Sequence, residues 1–210
     1  MLTCEGRALR ACLRHTTIDQ ARLAGRPARN LLGGMLHPAH LLGASLLLSG
    51  CLSSGEARLP GGTYRLQPAS FAPKADTWEE VEFQHPKGQG KFLVHILNTG
   101  AKIRLTILDP ATMATLLACS YENGELKRSG IDREIPDALP LALLQIATWP
   151  ADAVQAGLTG SLRIVAEPHR RILEDQRSPV AVIEGSPSGQ CTIRLPSYGA
   201  TITVRTAPQP

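Results

Sequence analysis

The chain has 210 residues, of which 43% are hydrophobic and 4% aromatic, and its formal net charge is +4. This length suits one ordinary domain and is short for two. All of the excess positive charge lies before residue 35, where six arginines stand against two acidic residues, so the rest of the chain carries no net charge. A domain without net positive charge offers no electrostatic reason to expect a nucleic-acid partner.

Residues 41–51 (LLGASLLLSGC) have the pattern of a bacterial lipoprotein signal. The apolar block at residues 41–48 is far shorter than the roughly 20 residues that a membrane-spanning helix needs, and it suits the hydrophobic region of a secretory signal. The last four residues match the lipobox, in which two small residues admit the signal peptidase and the cysteine thiol receives a diacylglyceryl group. The sequence therefore predicts a signal peptide over residues 35–50 and lipidation at Cys51. The alternative is a buried helix that ends in Gly-Cys.

The segments on either side of this signal are predicted to lie outside the fold. Residues 1–34 indicate a mis-assigned start or an extended n-region, and we expect them to be disordered. Residues 51–62 (CLSSGEARLPGG) are expected to form the lipidated N-terminus and a flexible linker. Leu52 stands where an aspartate would favour the inner membrane. We therefore expect a protein that is lipid-anchored to the outer membrane, on its periplasmic face.

From residue 63 onward the chain predicts short strands, because apolar residues recur at every second position in brief runs that end at turn residues. Asn123-Gly124 is the strongest hairpin signal. About eleven strands are predicted in this way. They cover residues 63–67, 78–85, 91–98, 101–108, 113–121, 125–129, 161–167, 170–174, 180–184, 191–195 and 200–206.

One helical pair is predicted to interrupt the strands. Residues 136–149 (PDALPLALLQIATW) indicate a helix with Asp137 as its N-cap, and residues 151–158 indicate a second, shorter helix. The first helix is apolar over most of its circumference, so we expect it to be buried. The expected fold is mainly β: an incomplete antiparallel β-barrel over residues 63–206, with the short helical pair as a lid or plug. A helix that simply completes the core is the alternative.

Four features together carry a family resemblance: the lipobox, the Leu-rich helix ending in Trp149-Pro150, the pair Arg170-Arg171, and the closing strand around Tyr198 (SYGATITVRT). They resemble a domain of unknown function found in small proteobacterial lipoproteins that are linked to aryl-polyene biosynthesis genes. That family is similar in architecture to LolA and LolB, the periplasmic carrier and outer-membrane receptor of lipoproteins. In those two proteins a half-open β-barrel closed by helices holds acyl chains in an apolar cavity.

The resemblance implies a non-enzymatic outer-membrane lipoprotein that binds or transfers a lipophilic molecule. The cargo would be an aryl-polyene lipid or a lipoprotein acyl chain, and envelope biosynthesis or lipoprotein-sorting proteins would be partners. The alternative function is a scaffold or assembly factor for membrane-associated aryl-polyene biosynthesis enzymes.

A cavity that holds such a chain needs an aliphatic lining and a lid with an apolar inner face. The predicted ligand-binding residues of the lid are Leu139, Leu143, Ile146 and Trp149. The predicted residues of the concave wall are Phe92, Val94, Ile96, Ile103, Leu105 and Ile107. Both sets are equally compatible with an ordinary core.

The rest of the chain gives little sign of catalytic or metal chemistry. His85, His95 and His169 lack metal-ligand spacing, and no nucleophile–base signature is found, so we expect neither a metal, a cofactor nor an enzyme. Cys119 and Cys191 are predicted either to form a disulfide, as an oxidising periplasm allows, or to stay as two separate buried thiols.

Charged side chains allow two interpretations. Arg170-Arg171 would meet an anionic headgroup or a partner, or would provide only surface charge. The cluster of Glu79, Glu80 and Glu82 indicates a solvated strand face.

Overall fold

The computed structural model describes residues 53–131, 136–176, 178–185 and 189–208. The predictions for residues 1–50 and for Cys51 lie outside these residues. In the described part of the chain, no helix is both long enough and apolar enough to span a membrane.

The described residues form a mainly β domain, as the sequence predicts. Its two helices are α1 (Leu139–Thr148) and α2 (Ala151–Gly157). Its strands are β1 (Ser53–Ser54), β2 (Glu56–Leu59), β3 (Gly62–Arg65), β4 (Ala75–His85), β5 (Gly88–Asn98), β6 (Lys102–Leu108), β7 (Thr115–Glu122), β8 (Glu125–Ser129), β9 (Leu162–Glu167), β10 (Arg170–Asp175), β11 (Ser178–Gly185), β12 (Cys191–Leu195) and β13 (Ala200–Thr206).

Eleven of the strands form one antiparallel sheet in the order β1-β8-β7-β6-β5-β4-β13-β12-β11-β10-β9. Its two edge strands, β1 and β9, do not pair with each other, so the sheet is curled but not closed. The prediction of an incomplete antiparallel barrel is therefore confirmed as far as the open, curled sheet is concerned. The predicted hairpin is also confirmed: Glu122 pairs with Glu125, and Asn123 and Gly124 both have positive φ angles, 52° and 82°.

The alternation of side chains gives the sheet an apolar concave face. On β4, Val81 and Phe83 lie on this face, and their register partners on β13 are Val204 and Ile202. Val81 also lies opposite Phe92 of β5. Because side chains on a strand alternate between faces, the polar residues between these positions, such as Glu80, lie on the convex face.

Helix α1 bridges the two sides of the open sheet. Just before it, Asp137 accepts an ion-paired hydrogen bond from Arg128 of β8 at 2.5 Å. Just after it, the carbonyl of Trp149 accepts a hydrogen bond from Arg171 of β10. The prediction that Asp137 is the N-cap was wrong, because Ala138 occupies that position and the carboxylate is engaged by Arg128.

A small N-terminal hairpin of β2 and β3 packs on α1. Gln145 of α1 is fully buried and connects to this part of the chain through its side-chain amide. Its Oε1 accepts hydrogen bonds from the Tyr64 hydroxyl and the Gln67 backbone N–H, both at 2.9 Å, and its Nε2 donates to the Gln67 carbonyl at 3.1 Å.

The fold begins earlier than expected. Glu56–Leu59 was expected in a flexible linker, but it is strand β2, and Ala57 and Leu59 are buried. The even earlier Ser53–Ser54 pairs with β8, with Ser53 opposite Leu126. The ordered sheet therefore starts two residues after Cys51 in the sequence.

Candidate functional site

A cavity of about 1120 Å³ lies between the concave face of the sheet and α1. This volume is slightly above the range of about 300–1,000 Å³ that is usual for small-molecule sites. The side chains around it are mainly aliphatic and come from strands at both sides of the curled sheet. Exposed residues at the β9–β10 connection also border it, among them Glu167 at the end of β9 and His169 in the turn.

One face of α1 forms a wall of the cavity. Leu139, Leu143, Leu144 and Ala147 all line it, and each is half-buried. Their spacing of three or four residues places them on one side of a helix. The structure therefore brings two of the four predicted lid residues, Leu139 and Leu143, to the cavity.

The other two predicted lid residues are placed elsewhere. Ile146 is 1% exposed and Trp149 is 2% exposed, and both belong to the hydrophobic core rather than to the cavity lining. The expectation that they face the cavity was wrong, because α1 is apolar on two faces. Helical periodicity alone does not say which face packs on the core and which faces a cavity.

Most residues of the predicted concave wall line the cavity, as the alternation of side chains along β5 and β6 predicts. Phe92, Val94 and Ile96 of β5 line the cavity, as do Leu105 and Ile107 of β6. Ile103 does not line it, and is instead a core residue that is 1% exposed.

The opposite part of the lining was not predicted. It is formed by apolar residues of four strands on the other half of the sheet: Leu173, Ile183, Ile193, Ile202 and Val204. The same alternation was present in their sequences, but the order of the strands in the sheet was needed to bring them to this cavity.

Two charged side chains reach the concave face among these apolar residues. Glu79 of β4 lines the cavity and is half-buried, whereas the sequence had indicated a solvated face. Burial raises the pKa of the Glu79 carboxyl above its ordinary value, and a hydrogen bond from the Thr206 side chain acts in the opposite direction. Glu80, its neighbour on the convex face, is exposed as expected.

Arg171 is the second charged residue. It lies on β10, two residues before the cavity-lining Leu173, and it lines the cavity as well. Its Nη1 donates to the carbonyls of Trp149 and, at 3.4 Å, of Ile146. A cation at this position also offsets the negative end of the α1 dipole. Arg58 and Arg170 also border the cavity, but both are exposed, and Arg170 forms an ion pair with Glu184 at 3.4 Å.

The two cysteines are free, which agrees with the alternative of two separate thiols and not with a disulfide between Cys119 and Cys191. They lie on β7 and β12, and four strands of the sheet separate them. Cys119 is buried, and burial raises its pKa to about 11. Cys191 lines the cavity, and burial raises the pKa of its thiol too, with nearby Arg171 lowering it and Glu79 raising it.

No group of three or more His, Cys, Asp or Glu side chains in the described part of the chain is arranged to hold a metal ion. His95 contacts Asp76 at 2.7 Å and stacks on Trp78, and none of the three lines the cavity. The cavity therefore offers a large apolar surface with three half-buried charged groups, Arg171, Glu79 and Asp137, while the other charged residues at its border are exposed. Such a site is suited to binding the apolar part of a molecule.

A search of curated proteins finds no match to the sequence. A family profile described as "Protein of unknown function (DUF3261)" matches residues 76–208, which is more than half of the chain. The matched region runs from β4 to just beyond β13 and contains both helices and most of the cavity wall. The protein is therefore a member of the DUF3261 family.

Proposed function

We propose that this protein binds or transfers a lipophilic molecule as a lipoprotein of the outer membrane, on its periplasmic face. The cargo would be an aryl-polyene lipid or the acyl chain of a lipoprotein, and it would undergo no covalent change. The single observation that supports this most strongly is the apolar cavity of about 1120 Å³ beside α1.

The energetics of the cavity favour a bound apolar molecule. Its walls include leucines, isoleucines and phenylalanines that are only half-buried, such as Leu143, Phe92 and Ile202. Covering apolar surface stabilises a complex by about 25 cal/mol per Å² removed from water. A domain that needed only a stable core would gain by collapsing this space, because close packing is the usual state of a protein interior.

The open sheet bridged by a helix also supports the proposal, because it is compatible with the half-open barrel that the family resemblance implies. The short distance along the chain between Cys51 and the paired Ser53 adds a consequence for the anchor. Two residues span at most about 7 Å. A lipid on Cys51 would therefore hold the domain close to the membrane surface, where exchange of cargo with a bilayer or with envelope proteins is easiest.

The cargo is tested by purifying the lipidated protein from membranes and extracting it for mass spectrometry. We expect a lipophilic molecule to co-purify with the wild-type chain and to be lost from Leu143→Glu, which places a charge on the cavity wall. The matched control is Leu93→Glu, because Leu93 is half-buried on the same strand as Phe92 but on the convex face. An empty wild-type protein that folds normally would contradict cargo binding and favour the scaffold function.

The anchor is tested separately by metabolic labelling with a palmitate analogue. We expect the wild-type chain to be labelled and Cys51→Ser to remain unlabelled and unprocessed. Labelling of neither protein would contradict lipidation and leave the cavity to be explained without a membrane anchor.

A further inference from the structure

We propose that Arg171 binds an oxyanion at the polar end of the ligand, so that the cargo is an anionic amphiphile, a long-chain carboxylate or phosphate. This inference rests on the proposed function, because it concerns how the same cavity orients its ligand. The ligand's apolar chain would lie along the aliphatic walls, and its anionic end would lie beside β10.

The hydrogen bonding of Arg171 supplies the first argument. A guanidinium has five N–H donors. The two carbonyls at the end of α1 are both contacted through Nη1, at Trp149 and Ile146. The Nε and Nη2 donors have no hydrogen-bond partner among the described residues. Polar groups that are partly withdrawn from water are normally paired, so we expect a ligand to supply acceptors for these donors.

The second argument is the contrast between Arg171 and the other arginines nearby. Arg170 pairs with Glu184 at 3.4 Å, and Arg194 pairs with the same carboxylate at 2.6 Å. Arg163 pairs with Glu174 at 2.5 Å. Within the described part of the chain, Arg171 has no carboxylate partner within salt-bridge distance. It lies on β10 two residues before the cavity-lining Leu173, so the two side chains share one face of the sheet.

The third argument is specificity. Ligand sites usually combine apolar walls with a few polar groups that fix the orientation of the ligand. Besides Arg171, two half-buried charged groups line the cavity: Asp137, which is paired with Arg128, and Glu79, which lies on β4 and accepts a hydrogen bond from Thr206. Three strands lie between those of Glu79 and Arg171 in the sheet, and Glu79 repels an anionic group on the β4 side of the cavity, which favours placing the oxyanion at Arg171.

The test compares four ligands that share one sixteen-carbon chain and differ at the polar end. They are hexadecanoate, hexadecyl phosphate, hexadecanol and hexadecylammonium, each titrated into the full-length protein below its aggregation concentration. We expect both anions to bind at least about tenfold more tightly than the alcohol, which is the scale of one charge-assisted hydrogen bond. We expect the ammonium to bind most weakly. A preference for one anion over the other identifies the polar end of the ligand as a carboxylate or a phosphate.

The variants separate charge recognition from folding. Arg171→Gln removes the charge but keeps a hydrogen-bond donor, and we expect it to abolish the preference for anions while hexadecanol still binds, which also shows that the cavity is intact. Arg171→Lys should retain the preference. Arg194→Gln is the matched control, because Arg194 pairs with Glu184 and does not line the cavity. Glu79→Gln should strengthen the binding of both anions.

Two outcomes overturn the inference. Equal binding of all four ligands to the wild-type protein would show that the polar end is not recognised. A preference for anions that survives in Arg171→Gln would place the recognition elsewhere. Binding of none of the four would instead contradict the proposed function, and this inference with it.

Discussion

The two faces of α1 contain the same kinds of aliphatic side chain but differ in what covers them. On the face toward the N-terminal hairpin and core, Leu141, Ala142 and Ile146 are at most 1% exposed. On the opposite face, Leu143 and Leu144 are half-buried and line the cavity. The comparison teaches that the helix has two separable tasks. The first face holds the curled sheet together, and the second offers apolar surface to a ligand.

The largest loss of stability is expected at Gln145, in the middle of the α1 face that packs on the N-terminal hairpin and core (the packed face). Gln145→Leu leaves three buried groups without partners: the Tyr64 hydroxyl, and the N–H and carbonyl of Gln67. At about 1–3 kcal/mol for each group, the free energy of unfolding should fall by about 3–9 kcal/mol in urea denaturation. Gln155→Leu is the control, because Gln155 is exposed and water can replace it as the acceptor of the Ile164 N–H. Equal losses in the two variants would contradict this role of Gln145.

The second-largest loss of stability is expected from the apolar side chains of the packed face. Ile146→Ala creates a cavity in the core and should lower the free energy of unfolding by about 2–5 kcal/mol. Leu144→Ala removes a similar volume from the cavity face and should cost clearly less, because Leu144 already borders open space. If urea denaturation gave the two variants the same stability, the distinction between the faces would be wrong.

A smaller effect is expected from the buried thiol behind the packed face. The folded-state pKa of Cys119 is raised to about 11, because burial disfavours the thiolate, whereas the unfolded thiol titrates near 9.0. The unfolded state therefore releases its proton first. The resulting stability is fully present below pH 9.0 and is lost at about 1.4 kcal/mol per pH unit as the pH rises toward the folded value.

This pH dependence is measured as the difference in the free energy of unfolding between the wild type and Cys119→Ala. The difference should be constant below about pH 9 and should shrink above it. Subtracting the variant removes the contributions of the tyrosines. A difference that stays constant across the alkaline range would contradict the raised pKa.

The smallest effect on stability is expected on the cavity face. Leu143→Glu should change the free energy of unfolding by less than about 1 kcal/mol, because the new carboxylate stays hydrated in a half-open cavity. The same variant should nevertheless lose its cargo, so that binding is lost at this position without a comparable loss of stability. A loss of stability as large as that of Ile146→Ala would show that Leu143 belongs to the core.

The sequence was sufficient for local structure and for the faces of single strands. The alternation around Phe92 and Leu105 and the turn at Asn123-Gly124 follow from rules that act over a few residues, and the structure agrees with them. The short β2 was missed because its composition is that of a linker. Its pairing with β3 and its packing on α1 are tertiary effects.

The site itself was only half predictable. Leu139 and Leu143 were assigned correctly to the cavity, but Ile146 and Trp149 were not, since an all-round apolar helix gives no sign of which face a distant hairpin will cover. Arg171 reaches Trp149 from 22 residues away in the sequence. A contact of that kind depends on how the sheet curls, which no short-range pattern records.

The most direct test of the central claim is to locate the ligand's chain on the protein. A long-chain carboxylate that carries a photoreactive diazirine near the end of its chain is bound to the protein and irradiated, and the modified residues are mapped by mass spectrometry. We predict modification of the concave side chains, with Phe92 and Leu143 prominent, and none at Leu93, the convex neighbour of Phe92. Modification at Leu93 in preference to Phe92, or none on the concave face, would contradict a ligand held between α1 and the sheet.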